Sequence, residues 1–396
     1  MKRYYITTLV ICLLVLLAGS FAYGFWDRSP ALKELKVGFI YESDESTPYT
    51  YNFFLAEQAL RKEYGNRIQI VSKSNVRENE TEEPLRELAG SGCQIIFINS
   101  YSEQVEQAAA AYPGVQFCQV SYRSTPSANA PENYHTFKGK AYQGRYVSGV
   151  VAGMKLKEMI GQGVIQPEEA VIGYVGAFDT EEVVSGFTAF LLGARSVVPQ
   201  ATMRVRYTGA WSSYALEKDC AAALIDEGCV IIAQHTDTIG PAIACEEAKS
   251  HRKVYHVGYN QSMIDAVPDV SLVSMRINWT PYIMGAVGAV FSSKPIEKYV
   301  DAAAFGRDMS AGFDKNWVEM LELNKAIAAE GTQARMDQVI DGFRKNQIEV
   351  FKGYYTGVNP ADPADTIDLR QGYTENKESS SPSFHYILKD IITVEN

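Results

Sequence analysis

The stretch GCVIIAQHTD, residues 228–237, decides how this chain folds. Its first part, residues 229–233, is a short apolar run rich in β-branched side chains, opened by Gly228. Such a run, without alternation, predicts a strand covered on both faces, as in a parallel sheet. The polarity then changes at once, to Gln234, His235, Thr236 and Asp237. Open α/β sheets place their ligands at the carboxyl ends of strands. Four adjacent donors and acceptors at that point predict a recognition edge. The alternative is a loop that opens the next helix, with Thr236 or Asp237 as N-cap.

Working outward, the same rhythm recurs on both sides. Apolar runs at residues 36–41, 68–71, 94–98 and 115–120 predict strands. Helical spacing separates them at residues 49–64, 82–89 and 102–111, and a longer helix is expected over 140–159. After a Gly, Pro and Glu linker at 161–169 the pattern restarts. Strands are expected at 170–175, 203–207, 229–233, 254–257 and 271–275, with helices at 180–198, 214–227, 239–250 and 282–291. Two consecutive β-α-β series predict an α/β chain of two doubly wound parallel-sheet lobes. The first lobe is expected over 36–158, completed by about 282–315, and the second over 170–280. Helices over 317–329 and 336–351, then a Gly, Pro and Asp-rich tail, are expected to pack on the lobes.

The chain has 396 residues, 46% hydrophobic and 21% charged, enough for two or three ordinary cores. A net charge of −10 argues against a nucleic-acid partner. At the N-terminus, Lys2 and Arg3 precede the apolar core LVICLLVLLA, and Ala22 ends a small-residue cleavage pattern. Residues 1–22 are therefore expected to be a signal peptide, which directs the chain to the periplasm or the outer face of the cytoplasmic membrane. The alternative is an uncleaved anchor, for which the run is short. No Cys follows as a lipid attachment point. The five later cysteines show no CxxC spacing and predict small buried hydrophobes rather than disulfides or a zinc site.

No GxSxG, HExxH or GxxxxGK[ST] pattern occurs, and the five histidines are scattered. No catalytic residue, metal or cofactor is expected. Aromatic, amide and acidic residues recur just after strands instead: Tyr41, then Tyr49, Tyr51 and Asn52, Asn99, Ser100 and Tyr101, Phe178, Trp211, the 234–237 edge, Tyr259 and Asn260, and Trp279. Any one aromatic is more often core than contact. Their repetition at equivalent strand ends predicts a cleft for a flat heterocycle, with rings for stacking and polar groups for its edge.

Several segments carry a resemblance. KVGFIY, YPGVQF, YQGRYVSGVVAG, VIGYVGAF, FLLGARSVVPQA, ALIDEGCVIIAQHTD, HVGYNQSM, INWTPY and VFKGYYTG are similar to stretches of one family. It is the basic membrane protein family of ABC-transporter solute-binding proteins, of the purine-nucleoside-receptor type. The resemblance implies a type I periplasmic-binding fold, a purine or other heterocycle such as riboflavin as ligand, and an ABC permease as partner. It implies ligand contacts at Tyr51, Asn52, Phe178, Trp211 and 234–237, and the chain is expected to be monomeric. The chain departs from the family pattern at Asn260, where an Asp is common, which leans toward a nucleobase over a nucleoside. Other readings are a membrane-anchored sensor built on the same module and, ranked last, an exported nucleoside hydrolase. A DNA-binding repressor does not fit the export signal.

Overall fold

The structure, a computed structural model, describes residues 32–122, 126–127 and 129–395, so the expected signal peptide lies outside the described residues. Strand β1 (Leu35–Ile40) leads into helix α1 (Pro48–Tyr64), opened by a proline whose missing N–H is not needed there. Strand β2 (Ile68–Lys73), helix α2 (Glu82–Gly90), strand β3 (Ile95–Ile98), helix α3 (Gln104–Ala111), and strands β4 (Gln116–Val120) and β5 (Tyr134–Gly139) complete the first series. These five strands pair in parallel.

The sequence does not announce β5. Its residues, YHTFKG, are polar yet all buried, because each polar side chain has a specific partner. His135 pairs with Glu297 and Gln116, Thr136 donates to Asp308, and Lys138 meets Glu182. Periodicity cannot register burial of that kind.

Helix α4 (Ala141–Gly161) follows, then strand β6 (Val171–Gly176) and helix α5 (Glu181–Arg195). The sequence assigns α4 to the first lobe. The structure packs it on α5, against the second, because glycines let the two backbones touch. A Cβ at Gly149 would stand 1.9 Å from the Phe190 carbonyl oxygen, and one at Gly193 2.1 Å from that of Tyr146.

Strand β7 (Thr202–Tyr207), helix α6 (Tyr214–Asp226), strand β8 (Ile231–His235), helix α7 (Gly240–Ala248), and strands β9 (Tyr255–Tyr259) and β10 (Ser271–Ile277) build the second sheet. Helix α8 (Thr280–Phe291) returns to the first lobe, where Tyr282 stacks on Phe137 of β5 with ring centroids 3.8 Å apart. Helix α9 (Ile296–Tyr299) and strands β11 (Ala303–Phe305) and β12 (Asp308–Ala311) finish that lobe, with β12 parallel to β5.

Two seven-stranded sheets result, in the orders β11-β12-β5-β4-β3-β1-β2 and, with β13 (Val318–Met320) and β17 (Ile392–Glu395), β13-β10-β9-β8-β6-β7-β17. The chain crosses between lobes after β5, after β10 and after β12. Both sheets are parallel except at one edge each, where β11 and β13 run antiparallel.

Residues 317–329 form no helix. Trp317 is buried edge-on against Tyr282, and Val318–Met320 pair with β10. These tertiary contacts override a helical pattern. Helix α10 (Thr332–Arg344) is shorter than expected, and β14 (Thr356–Asn359), β15 (Asp362–Asp368) and β16 (Ile387–Leu388) form a small third sheet. Four of the five described cysteines are buried and Cys220 is half-buried, all as free thiols.

The α4–α5 contact sets up the first prediction. Gly149→Leu leaves no room for the backbone of α5, so urea unfolding is expected to show a loss of about 3 kcal/mol or more, or no folded protein.

Candidate functional site

The carboxyl ends of the two sheets face a cavity of about 320 Å³ between the lobes. The central β8 strand shows how it is built. Gln234, the last residue but one of that strand, is wholly buried, and its Nε2 donates to the Thr236 and Thr238 carbonyls. Its Oε1 accepts from His256 Nε2, on a ring that burial drives down to a pKa of about 3 and so keeps neutral. Glu217, fully buried on α6, accepts from the Thr238 and Ser213 amides. The polar turn is thereby fixed, and it presents Asp237.

Asp237 lines the cavity. Its amide donates to the Trp211 carbonyl, at 2.9 Å, which ties Trp211 to the same wall. Asn260 Nδ2 donates to its carboxylate at 2.9 Å, and the Asn260 backbone sits in the left-handed region at φ 64°. That conformation suits Asn among non-glycine residues. Behind it, Asn52 of α1 donates across the lobes to the Asn260 carbonyl at 3.1 Å. The Asp237 side chain is partly open to the cavity, but the cavity lies deep between the lobes. Burial therefore raises its pKa to about 7, against the hydrogen bond from Asn260, which lowers it.

An aromatic layer backs the second-lobe wall. Phe178 meets Trp211 edge-on at 5.5 Å, and His235 meets Tyr259 at 5.0 Å. The Arg145 guanidinium lies 3.9 Å from the centre of the Tyr259 ring. Burial first, then the charges of Arg145 and Lys138, hold His235 well below its ordinary pKa, so it is neutral. On the first-lobe side, Trp279 stacks on Phe53 at 4.6 Å and meets Tyr49 edge-on. Lys138 of β5 and Glu182 of α5 form a largely buried ion pair at 2.5 Å between the lobes, and both line the cavity.

Of the residues singled out from sequence, Ser100, Tyr101, Trp211, Asp237, Tyr259 and Trp279 line this one cavity. Phe178 and His235 buttress it, and Asn52 and Asn260 stand behind Asp237. Four do not reach it. The Tyr41 ring is buried among Phe39, Phe53 and Phe54, with its hydroxyl on Glu57. Tyr51 faces outward, 44% exposed. Helical phase explains this, since residues 49 and 53 share the inner face of α1 and 51 lies opposite. Gln234 and Thr236 are fully buried, the first spent on holding its own turn.

Sequence reasoning missed Glu42, Tyr122, Lys138 and Glu182, all of which line the cavity. Tyr49 and Asn99, which stand among the strand-end residues that it did single out, line the cavity as well. Lys138 lies on the unannounced β5, and nothing local marks Glu182.

Two facing α/β lobes with a polar, ring-lined cavity between their strand ends define a two-lobed small-molecule-binding protein. The chain belongs to the family of PnrA-like ABC transporter substrate-binding proteins, whose model matches residues 35–350. It is 31% identical to a purine-binding protein of Brucella abortus over 264 residues, 66% of this chain and 70% of that one. It is 33% identical over 230 residues, 57% of this chain and 53% of the other, to a Haloferax volcanii protein provisionally named an ABC transporter glucose-binding protein. Solved structures of ABC solute-binding proteins share the fold. One from Aeropyrum pernix gives a TM-score of 0.64 at 13% identity, covering 83% of this chain and 94% of its own. One from Conexibacter woesei gives 0.62 at 16%, covering 79% and 97%.

Asp237 generates a pH prediction. Its folded pKa of about 7 lies above the unfolded value of about 4, so its stabilising effect is complete below about pH 4 and is lost as pH rises through 7. Asp237→Asn is expected to flatten this dependence. The ligand-free variant should gain on the order of 2–3 kcal/mol over the parent between about pH 5 and pH 8, read from urea midpoints. Parallel pH curves for parent and variant would contradict the assignment.

Proposed function

We propose that this chain is the extracytoplasmic receptor of an ABC importer and that it binds a purine nucleobase or nucleoside in the cavity between its lobes. One observation carries the reading. Trp211 and Tyr259 from the second lobe, Tyr49, Tyr101 and Tyr122 from the first, and the Asp237 carboxylate all line the same cavity. Aromatic faces offer stacking to a flat ring, and a carboxylate accepts its edge N–H groups. The named purine-binding relative supports the same ligand class.

The cavity, about 320 Å³, stands at the small end of the roughly 300–1,000 Å³ range of ligand sites. That size favours a base or nucleoside over a flavin. Closure of the lobes would bring the two ring-bearing walls together around the ligand. Release to a membrane permease would follow on opening. The cavity's residues serve here as recognition groups, with no reaction assigned to them.

A second reading has its own support. Glu42, Glu78, Glu182 and Asp237 make the lining rich in acceptors, which also suits a polyhydroxylated sugar. The glucose-named relative points the same way.

Thermal melting with adenine, guanine, adenosine, guanosine, riboflavin, glucose and arabinose separates the readings. A purine at a hundred times its Kd is expected to stabilise the chain by about 2.7 kcal/mol. A shift with a sugar and none with any purine would replace the proposal by the second reading. Trp211→Ala is expected to weaken purine binding roughly tenfold to a hundredfold by loss of stacking. Asp237→Ala should weaken it by a similar factor, about that of one charge-assisted hydrogen bond. Isothermal titration checks both.

A further inference from the structure

The family match ends at residue 350, yet residues 351–395 are fully built into the structure. Their attachment to the second lobe is extensive. Phe351 packs on Tyr142 of α4 and stacks on Phe384 at 4.4 Å. Arg195 of α5 donates to the Tyr355 hydroxyl, and β17 adds a parallel strand beside β7. Glu375, buried, accepts from Ser185 of α5 and from the amides of Ser383 and Phe384.

Between Glu375 and Ser383 the segment reaches across to the first lobe. Asn376 adopts the left-handed conformation, φ 55°, and its Nδ2 donates to the carbonyls of Ser379, Ser380 and Ser381. One side chain therefore fixes the whole turn and presents Ser380. The Ser380 amide donates to Asp308 Oδ2 at 2.6 Å, and its hydroxyl meets Asp308 Oδ1. Asp308, on β12 and fully buried, also accepts from Thr136 of β5 at 2.8 Å and from Ser121 at 3.1 Å. Ser121 ends the β4 side of the sheet, hydrogen-bonds the Ser380 hydroxyl, and lines the cavity.

We infer that residues 351–395 form a strap that ties the first lobe to the second through Ser380, and so limits how far the cavity opens. The three covalent crossings leave the lobes free to hinge. The strap adds a further non-covalent link, away from the Lys138–Glu182 and Asn52–Asn260 contacts, and it grips beside a residue of the cavity wall. Opening the lobes must either break the Ser380–Asp308 contacts, stranding a buried carboxylate short of donors, or peel the strap from α5. Both raise the free energy of the open state, and neither changes a ligand contact directly. The inference rests on the proposed ligand cavity for its meaning, but its test needs no ligand.

Spin labels on Tyr51→Cys of the first lobe and Tyr214→Cys of the second, with Cys220→Ser to silence the half-buried thiol, report lobe separation in the ligand-free full chain. Both labelled positions are exposed. The parent is expected to give a short distance with a minor longer component. Ser380→Ala, and independently Asn376→Ala, should add a longer distance whose population is roughly fivefold to tenfold that in the parent. Ser381→Ala, one residue along, should leave the distribution unchanged. An unaltered distribution in both test variants would overturn the strap, as would a lowered urea midpoint with no new long distance. Because the readout is free of ligand, a failed purine assignment would leave this result standing, and the converse.

Discussion

The buried ion pair between Lys138 and Glu182 is the contact on which the enclosed cavity depends. Each charge is supplied by a different lobe, and the pair closes the gap between them at 2.5 Å. A buried pair contributes little net stability over an apolar alternative, but separating its partners is costly. It therefore acts on geometry more than on stability, since it defines one relative placement of the lobes. The Asn52–Asn260 contact repeats the device with neutral groups, and leads directly to Asp237. The walls of the cavity are thus registered against each other by polar contacts that have to form together.

Beneath those contacts lies a rigid base. Helices α4 and α5 meet through glycines at a backbone separation that side chains would not permit. Helix α4 is also the first element after a crossing between lobes, so its position sets where the second sheet begins relative to the first. Arg145 on α4 donates to the Gln234 carbonyl at 2.7 Å, which couples that helix to the end of β8. Close packing at the base and polar registration at the cavity are two ends of one arrangement.

The chemistry of the cavity follows from where charge is tolerated. Burial raises the Asp237 carboxyl to about 7, against the hydrogen bond from Asn260, so it titrates near neutrality. Such a group can accept from a ligand when ionised and donate when protonated. Its neighbour His235 is neutral for the same reason, burial. The rings that frame these groups exclude water and strengthen whatever hydrogen bonds a ligand makes.

Local pattern carried the architecture far. The apolar runs at 36–41, 94–98 and 229–233 are strands because burial on both faces demands continuous hydrophobicity, and that demand is visible in one dimension. The abrupt polarity at 234–237 located the end of the central strand and the Asp237 side chain that lines the cavity. The resemblance in these segments also led to the family. What the sequence could not decide was which polar residues face the cavity and which are spent inside a lobe. Gln234 and Asp237 are three residues apart and equally polar, yet one scaffolds the turn and the other is presented by it. Strand β5, the partnering of Lys138 with Glu182, and the reach of Ser380 to Asp308 are decided only in three dimensions. Each joins residues far apart in the chain, and burial of a polar group depends on a partner that no local periodicity encodes.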